Sequence, residues 1–313
     1  MELQDWKWKL GRQSRPEKTF HFVVGDVHGC YFELLQLEAK AHAAAQAAGA
    51  IPFFVLVGDL IDRGPSSREV VHHVMQGVKN GTHYCVAGNH EAIFLELVQF
   101  YGMGEFKKYL HQCRYIYPLY NQYALAKQNH FMPVTDFAAW RLQNWVIQGG
   151  GQTLESFGLP YDVSLWDTSS YLPELNFLCT LPLAYFSDTV CVTHALASPA
   201  DFAWALDRDA QCNFDDGDTF SFDFENPEQA TALQNETFER LQALLWNREQ
   251  SSLWPDDLPI HVSGHTPTDG PLWYEKDRRL IVDTGCVFGR DLTAYCPETN
   301  SFVSVPGYGS SGA

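Results

Sequence analysis

The chain has 313 residues, 45% hydrophobic and 19% charged, which fits a globular protein of one large α/β domain or two small ones. A formal charge of −17 repels polyphosphate backbones and excludes a grip on nucleic acid driven by counterion release, though not phosphate chemistry where bound cations invert the local sign. No apolar run reaches about 18 residues, so a membrane span is not expected, and Met1–Lys9 lacks the apolar centre of a secretory signal.

The first β-like run, Thr19–Val24, leads into Gly25-Asp26-Val27-His28-Gly29. Tyr31–Ala48, rich in Leu, Ala, Gln and Glu and followed by Gly49, has the composition and stop signal of a helix. A second run, Phe53–Val57, ends in Gly58-Asp59-Leu60-Ile61-Asp62-Arg63-Gly64. Val70, Val71, Val74 and Met75 then repeat at helical spacing across Ser66–Gly77. A third run, Thr82–Ala87, precedes Gly88-Asn89-His90-Glu91. This alternation of strand and helix predicts right-handed βαβ units. Runs without polar alternation predict strands buried on both faces.

The rhythm then breaks. Residues 92–148 form a long aromatic stretch, read as a packed helical cap rather than a cofactor box. Three further runs each end on polar residues: Thr189–Val192 before Thr193 and His194, Ile260–Val262 before Ser263-Gly264-His265, and Leu280–Val282 before Asp283-Thr284-Gly285. Between the first two lies Ala200–Glu228, acidic and turn-rich; its spacing misses the EF-hand pattern, so a solvated acidic insertion is expected. The small, polar Gly307–Ala313 reads as an unordered tail. The eight cysteines are scattered singly, without a Cys-x-x-Cys pair. Cys85, Cys191 and Cys296 read as small buried thiols, and the set suggests a reducing, cytoplasmic home.

Six polar clusters at six strand ends converge on one rim, where open α/β sheets bind ligands. Asp26, His28, Asp59, Asn89, His194 and His265 offer carboxylate, imidazole and amide donors and no thiolate, a mixture suited to Mn²⁺, Fe or Zn²⁺. They are too many for one tetrahedral zinc and suit two ions sharing a carboxylate. Arg63 cannot bind a cation, but its planar fork can grip phosphate oxygens. A His90–Asp62 pair at the rim could orient an imidazole that protonates a leaving alkoxide. Any one Gly-Asp dipeptide is more often a turn; the first three clusters, in order, carry the inference. The remaining histidines, His73 and His83 among them, read as structural.

Gly-Asp-x-His-Gly, Gly-Asp-x-x-Asp-Arg-Gly and Gly-Asn-His-Glu resemble the signature of the phosphoprotein phosphatase family of metallophosphoesterases. Gly149-Gly150-Gly151, Trp246-Asn247-Arg248-Glu249, Gly264-His265-Thr266-Pro267 and Asp283-Thr284-Gly285 resemble its bacterial and phage branch, typified by the lambda phage Ser/Thr phosphatase. The resemblance is continuous over residues 20–92 and then patchy to Thr293. It implies an α/β metallophosphoesterase fold: a mixed β-sandwich flanked by helices, with the metals at the strand C-terminal ends. One domain over residues 1–313 is expected, with insertions at 92–148 and 200–245.

The resemblance assigns Asp26 and His28 to a first metal, Asp59 to a bridging position, and Asn89, His194 and His265 to a second metal. Two Mn²⁺ ions are expected, with Fe and Zn²⁺ as alternatives. His90, paired with Asp62, is implied as general acid; Arg63 and Arg248, with Asn89, are implied to bind the substrate phosphate. The implied reaction is single-step hydrolysis of a phosphorylated protein or peptide by a hydroxide shared between the ions, with no nucleic-acid or membrane partner. A symmetrical dinucleoside-tetraphosphate hydrolase is the nearest alternative and would need a base-stacking, cationic pocket. A catalytically dead phosphoprotein-binding scaffold would lack a ligand, and none is missing. A metal-storage module built on Ala200–Glu228 would leave the strand-end clusters unexplained.

Overall fold

The computed structural model describes residues 18–101, 113, 115, 133–166, 171–211, 227–249, 253–275 and 278–310. Two five-stranded mixed sheets form its centre. In the first, β1 (Thr19–Val24), β2 (Ile51–Leu56) and β3 (His83–Cys85) run parallel, β9 (Leu292–Cys296) pairs antiparallel with β1, and β10 (Ser301–Val305) pairs antiparallel with β9. In the second, β5 (Val190–Thr193), β6 (Ile260–Ser263) and β8 (Arg279–Ile281) run parallel, flanked by antiparallel β4 (Ala184–Phe186) and β7 (Leu272–Tyr274).

The uninterrupted apolar runs have a direct cause. Side chains alternate across a strand, and here both faces are covered. Val23, Phe53, Val55 and Val57 meet Val190, Val192, Val262 and Leu280 in a core between the sheets. Phe20, Phe22, Val24, Phe54 and Leu56 join a larger core with the helices. Helices α1 (Tyr31–Ala47) and α2 (Ser67–Lys79) are the crossovers between β1, β2 and β3. The amphipathic stripe read from the sequence is the one buried, through Val70, Val71 and Val74 of α2.

The aromatic stretch begins as α3 (Asn89–Tyr101) and resumes as α4 (Val134–Trp145), and most of residues 102–132 lies outside the described residues. A π-helical turn at Val146–Gly150 leads into α5 (Gly151–Phe157), and α6 (Leu172–Cys179) follows. The described ends of the stretch are packed as expected: Phe94 is fully buried and its ring stacks on Trp145 at 5.4 Å.

Two expectations need correction. The first half of the acidic segment is not a solvated turn-rich loop but helix α7 (Pro199–Gln211), with Phe202 and Ala205 fully buried. Its acids are used internally: Asp201 accepts from Arg240 at 2.7 Å, and Asp209 accepts from the backbone N–H groups of Leu183 and Ala184. Residues 212–226 lie outside the described residues, and α8 (Pro227–Trp246) follows them. Gly307–Ser310, the described part of the tail, is ordered and held by the Tyr308 N–H, which donates to Cys286 O at 3.1 Å; residues 311–313 lie outside the described residues. Cys85, Cys191 and Cys296 are buried free thiols, as read. Among the described residues, no helix is long and apolar enough to cross a membrane.

Candidate metal centre

All six sequence-derived donors are brought together at the strand C-terminal ends. Each follows its strand through a tight turn, and the turns are strained. His28, Asp59, Asp62, Arg63 and His265 all hold positive φ, between 44° and 73°. Left-handed backbone at non-glycine residues is uncommon and clusters where function demands a side-chain direction. Gly149 sits at φ 111° and donates no side chain to the site; a Cβ there would run into Arg63, whose N–H donates to Gly149 O at 2.9 Å.

Acceptors outside the centre orient two of its imidazoles. His28 Nδ1–H donates to Ile61 O at 2.7 Å, and His194 Nδ1–H donates to Val57 O at 2.8 Å. Each therefore turns an Nε2 lone pair inward. His194 Nε2 stands 2.8 Å from the Asn89 amide oxygen and 3.5 Å from Asp59 Oδ1. His265 Nδ1 meets the same amide oxygen at 2.9 Å, and its buried Nε2 has no hydrogen-bond partner. Burial lowers His194 and pushes His265 down to about 3, so each imidazole keeps a lone pair that a cation can use. Asp59, His194 and His265 form one such donor cluster, and Asp59 also joins His28 and His90 in another.

The carboxylates agree. Asp59 is held well below the usual range, because the surrounding histidines, His194 foremost, outweigh the larger opposing effect of burial. Burial and then the charge of Asp283 hold Asp26 well above it. Asp283 is pushed up to about 6 by burial, with Asp59 adding to it. Two acids crowded at one buried spot are relieved by a divalent ion, whose charge reverses this effect. Asp283 was not picked out individually from the sequence; its position after β8 was the available signal.

His90 and Asp62 do pair. His90 Nδ1–H donates to Asp62 Oδ2 at 2.5 Å. Trp145 Nε1–H donates to the same oxygen at 2.7 Å, and Thr153 donates to Oδ1 at 2.6 Å. Burial pulls the His90 imidazole down, but Asp59 and the Asp62 bond outweigh it and leave His90 above its ordinary value. Arg63 reaches the same point: its guanidinium donates to His28 Nε2 and, at 2.9 Å, to His90 Nε2. Its face also lies 5.4 Å from the ring of Phe288, which is 56% exposed.

Glu91 is a further residue that its motif did not reveal. It is fully buried, and its carboxylate accepts from the backbone N–H groups of Leu60 at 2.7 Å, Asp59 at 2.9 Å, Gly88 at 3.0 Å and Ile61 at 3.2 Å. Burial and the Asp59 charge push its acid up to about 8, while the Leu60 and Ile61 bonds oppose this. The Asp59 turn is thus fastened to the start of α3.

Arg248 is exposed on the turn after α8. Its charge depresses both His194 and His265, which places it within electrostatic reach of the donors. Asn247 holds that turn by donating to Glu249 O at 2.7 Å, while Glu249 N–H donates back to Asn247 Oδ1 at 3.1 Å.

The profile of the calcineurin-like phosphoesterases matches residues 22–294. The chain is 26% identical over 293 residues to the asymmetrical bis(5′-nucleosyl)-tetraphosphatase PrpE of Halalkalibacterium halodurans, covering 91% of this chain and 92% of that protein. A shorter similarity, 37% over 76 residues, covers 24% of this chain and 25% of the symmetrical bis(5′-nucleosyl)-tetraphosphatase of Buchnera aphidicola. Among solved structures, the cold-active protein-tyrosine phosphatase of a psychrophilic Shewanella species aligns with a TM-score of 0.50, at 16% identity, covering 92% of this chain and 80% of that one; this likeness is one of fold alone.

Proposed function

Because the chain belongs to the calcineurin-like phosphoesterase family, whose members bind two divalent metals, we propose that it is a metal-dependent hydrolase of dinucleoside tetraphosphates. The observation that carries the substrate is Phe288, an exposed ring set against the Arg63 guanidinium at the metal rim. A nucleotide needs such a pairing, an aromatic face for its base beside a cation for its phosphates. The full-length likeness to an asymmetrical bis(5′-nucleosyl)-tetraphosphatase supports the same reading.

In this reading Asp26, His28 and Asp59 would hold one ion, and Asp59, Asn89, His194 and His265 would hold the other, with Mn²⁺ favoured by the hard and borderline donors. Two bound cations would supply Lewis acidity at phosphorus and neutralise charge building on its oxygens. Arg63 leaves His28 and His90 to grip a phosphoryl oxygen, with Arg248 approaching from the exposed side. His90, its Nδ1–H held by Asp62, presents Nε2 to the leaving oxygen.

Phe288→Ala should raise KM for a dinucleoside tetraphosphate by roughly 5–150-fold, the scale of one lost base-stacking contact of about 1–3 kcal/mol. The loss on a phosphoserine peptide should be far smaller. Equal losses on both, or no cleavage of the dinucleotide by the Mn²⁺-loaded enzyme, would defeat the nucleotide reading.

A Ser/Thr protein phosphatase is the second reading. Trp246-Asn247-Arg248-Glu249 favours it by carrying Arg248 on an open face that a protein substrate could approach. In either reading Arg248→Ala should weaken inhibition by inorganic phosphate and lower kcat/KM, with thermal stability nearly unchanged, since surface substitutions cost less than about 0.5 kcal/mol. Arg248→Lys should rescue only in part, because an ammonium keeps the charge and loses the fork. Unchanged phosphate inhibition in both variants would remove Arg248 from the site. A side-by-side assay on phosphoserine peptide and dinucleoside tetraphosphate separates the two readings.

A further inference from the structure

At the opposite end of β3 from the catalytic turns, a second set of donors converges. Glu38 of α1 and His83 at the start of β3 are buried, and His73 of α2 is half-buried. His73 Nε2 lies 3.0 Å from each Glu38 oxygen, and His83 Nε2 lies 3.0 Å from Oε1. The ligand atoms of all three lie within 4.8 Å of one another.

His83 is oriented as a ligand would be. The Thr82 hydroxyl donates to Gly77 O at 3.1 Å, and its oxygen accepts from His83 Nδ1–H at 2.8 Å. In that tautomer His83 Nε2, 3.0 Å from Glu38 Oε1, is left to ligate a cation. His28 and His194 follow the same pattern, with Nδ1–H tied to an outer acceptor and Nε2 facing the donors. Gly77 leaves the room this needs, since any side chain there would collide with the His83 ring.

We propose that Glu38, His73 and His83 form a third metal site, separate from the catalytic pair, which takes a divalent ion of the Zn²⁺ class with water as fourth ligand. Two imidazoles and a carboxylate are a zinc donor set, and bonds of about 2.1 Å put tetrahedral donors roughly 3.4 Å apart, so side-chain shifts of a few tenths of an ångström admit the ion. The side chain of His73 is 24% exposed, which gives the ion an entry path and the water its place. The three ligands come from α1, α2 and β3, so the ion would staple both helices to the strand that delivers Asn89, His90 and Glu91 to the catalytic rim.

The test uses the full chain saturated with Zn²⁺ and freed of excess metal. Anomalous diffraction at the zinc edge should show density among Glu38, His73 and His83 in addition to any at the rim. His73→Gln should abolish that density and lower the metal content by one ion per chain, while the rim density and phosphoester hydrolysis persist. Added Zn²⁺ should also raise the melting temperature of the parent more than that of the variant. Glutamine at this half-buried position can still donate to Glu38, so the variant should fold. An empty map at this position in the saturated parent would overturn the proposal, leaving an imidazolium–carboxylate pair. Retention of the same density in His73→Gln would overturn it too. Because the readout is positional, failure here is distinct from failure of the two-metal reading at the rim.

Discussion

His90→Asn should lower kcat on an alkyl phosphomonoester by roughly 10²–10⁴-fold, the usual contribution of a positioned general acid. His90 is prepared for the role: Asp62 fixes its Nδ1–H, and the nearby carboxylates hold its pKa above the ordinary imidazole value despite burial. Asparagine preserves some polarity at the site but cannot deliver a proton. The loss should shrink on a dinucleoside tetraphosphate, whose leaving phosphate is a weak base and needs little protonation. Metal content should stay constant, which elemental analysis of both proteins would check. Equal losses on the two substrates would argue that His90 acts through structure rather than as an acid.

Glu91→Ala should cost the most stability of any single change near the site. It removes one acceptor group from four buried backbone donors, on Asp59, Leu60, Ile61 and Gly88. Each orphaned donor costs about 1–3 kcal/mol, so the sum is at least about 4 kcal/mol. For a chain of this size that corresponds to a fall in Tm of about 8 °C or more. Glu91→Gln keeps one carbonyl oxygen and should lose less. The melt is best read on metal-loaded protein, because loosening the Asp59 turn also weakens ion binding. A shift below about 2 °C for Glu91→Ala would show that water replaces the carboxylate and that the turn does not depend on it.

Much of the catalytic rim was legible in the sequence for a physical reason. A ligand that follows a buried strand is announced by an apolar run on one side and a glycine turn on the other, and Asp26, Asp59 and Asn89 carry both marks. Trp145 and Thr153 carry neither. They reach Asp62 across 83 and 91 residues, from helices whose apolar content reads as core. Phe288 was invisible for the opposite reason, since a lone exposed aromatic has no periodicity to mark it.

The strands left unread were β4, β7, β9 and β10. Three of them form sheet edges, and β4 and β7 have 3 residues each, too short for an apolar run to stand out. In α7, acidic composition masked helical packing, because Asp201 and Asp209 are consumed by internal partners rather than by water. His73 and His83 read as structural because two histidines ten residues apart acquire meaning only when α1 brings Glu38 between them.

The chain separations within the metal centre have a consequence for how such a protein diversifies. Asn89 is joined to donors 105 and 176 residues further along the chain, His194 and His265. Loop-closure entropy rises only logarithmically, by about 0.6 kcal/mol for each doubling of length. Extra sequence inserted between successive ligands therefore adds little to the cost of assembling them, provided that the two sheets still dock. The intervals after Asn89 and after His194 are where the aromatic and acidic segments fall. The scaffold can exchange those segments like fittings on a fixed bench, changing which molecules reach the rim while the reactive groups stay in register.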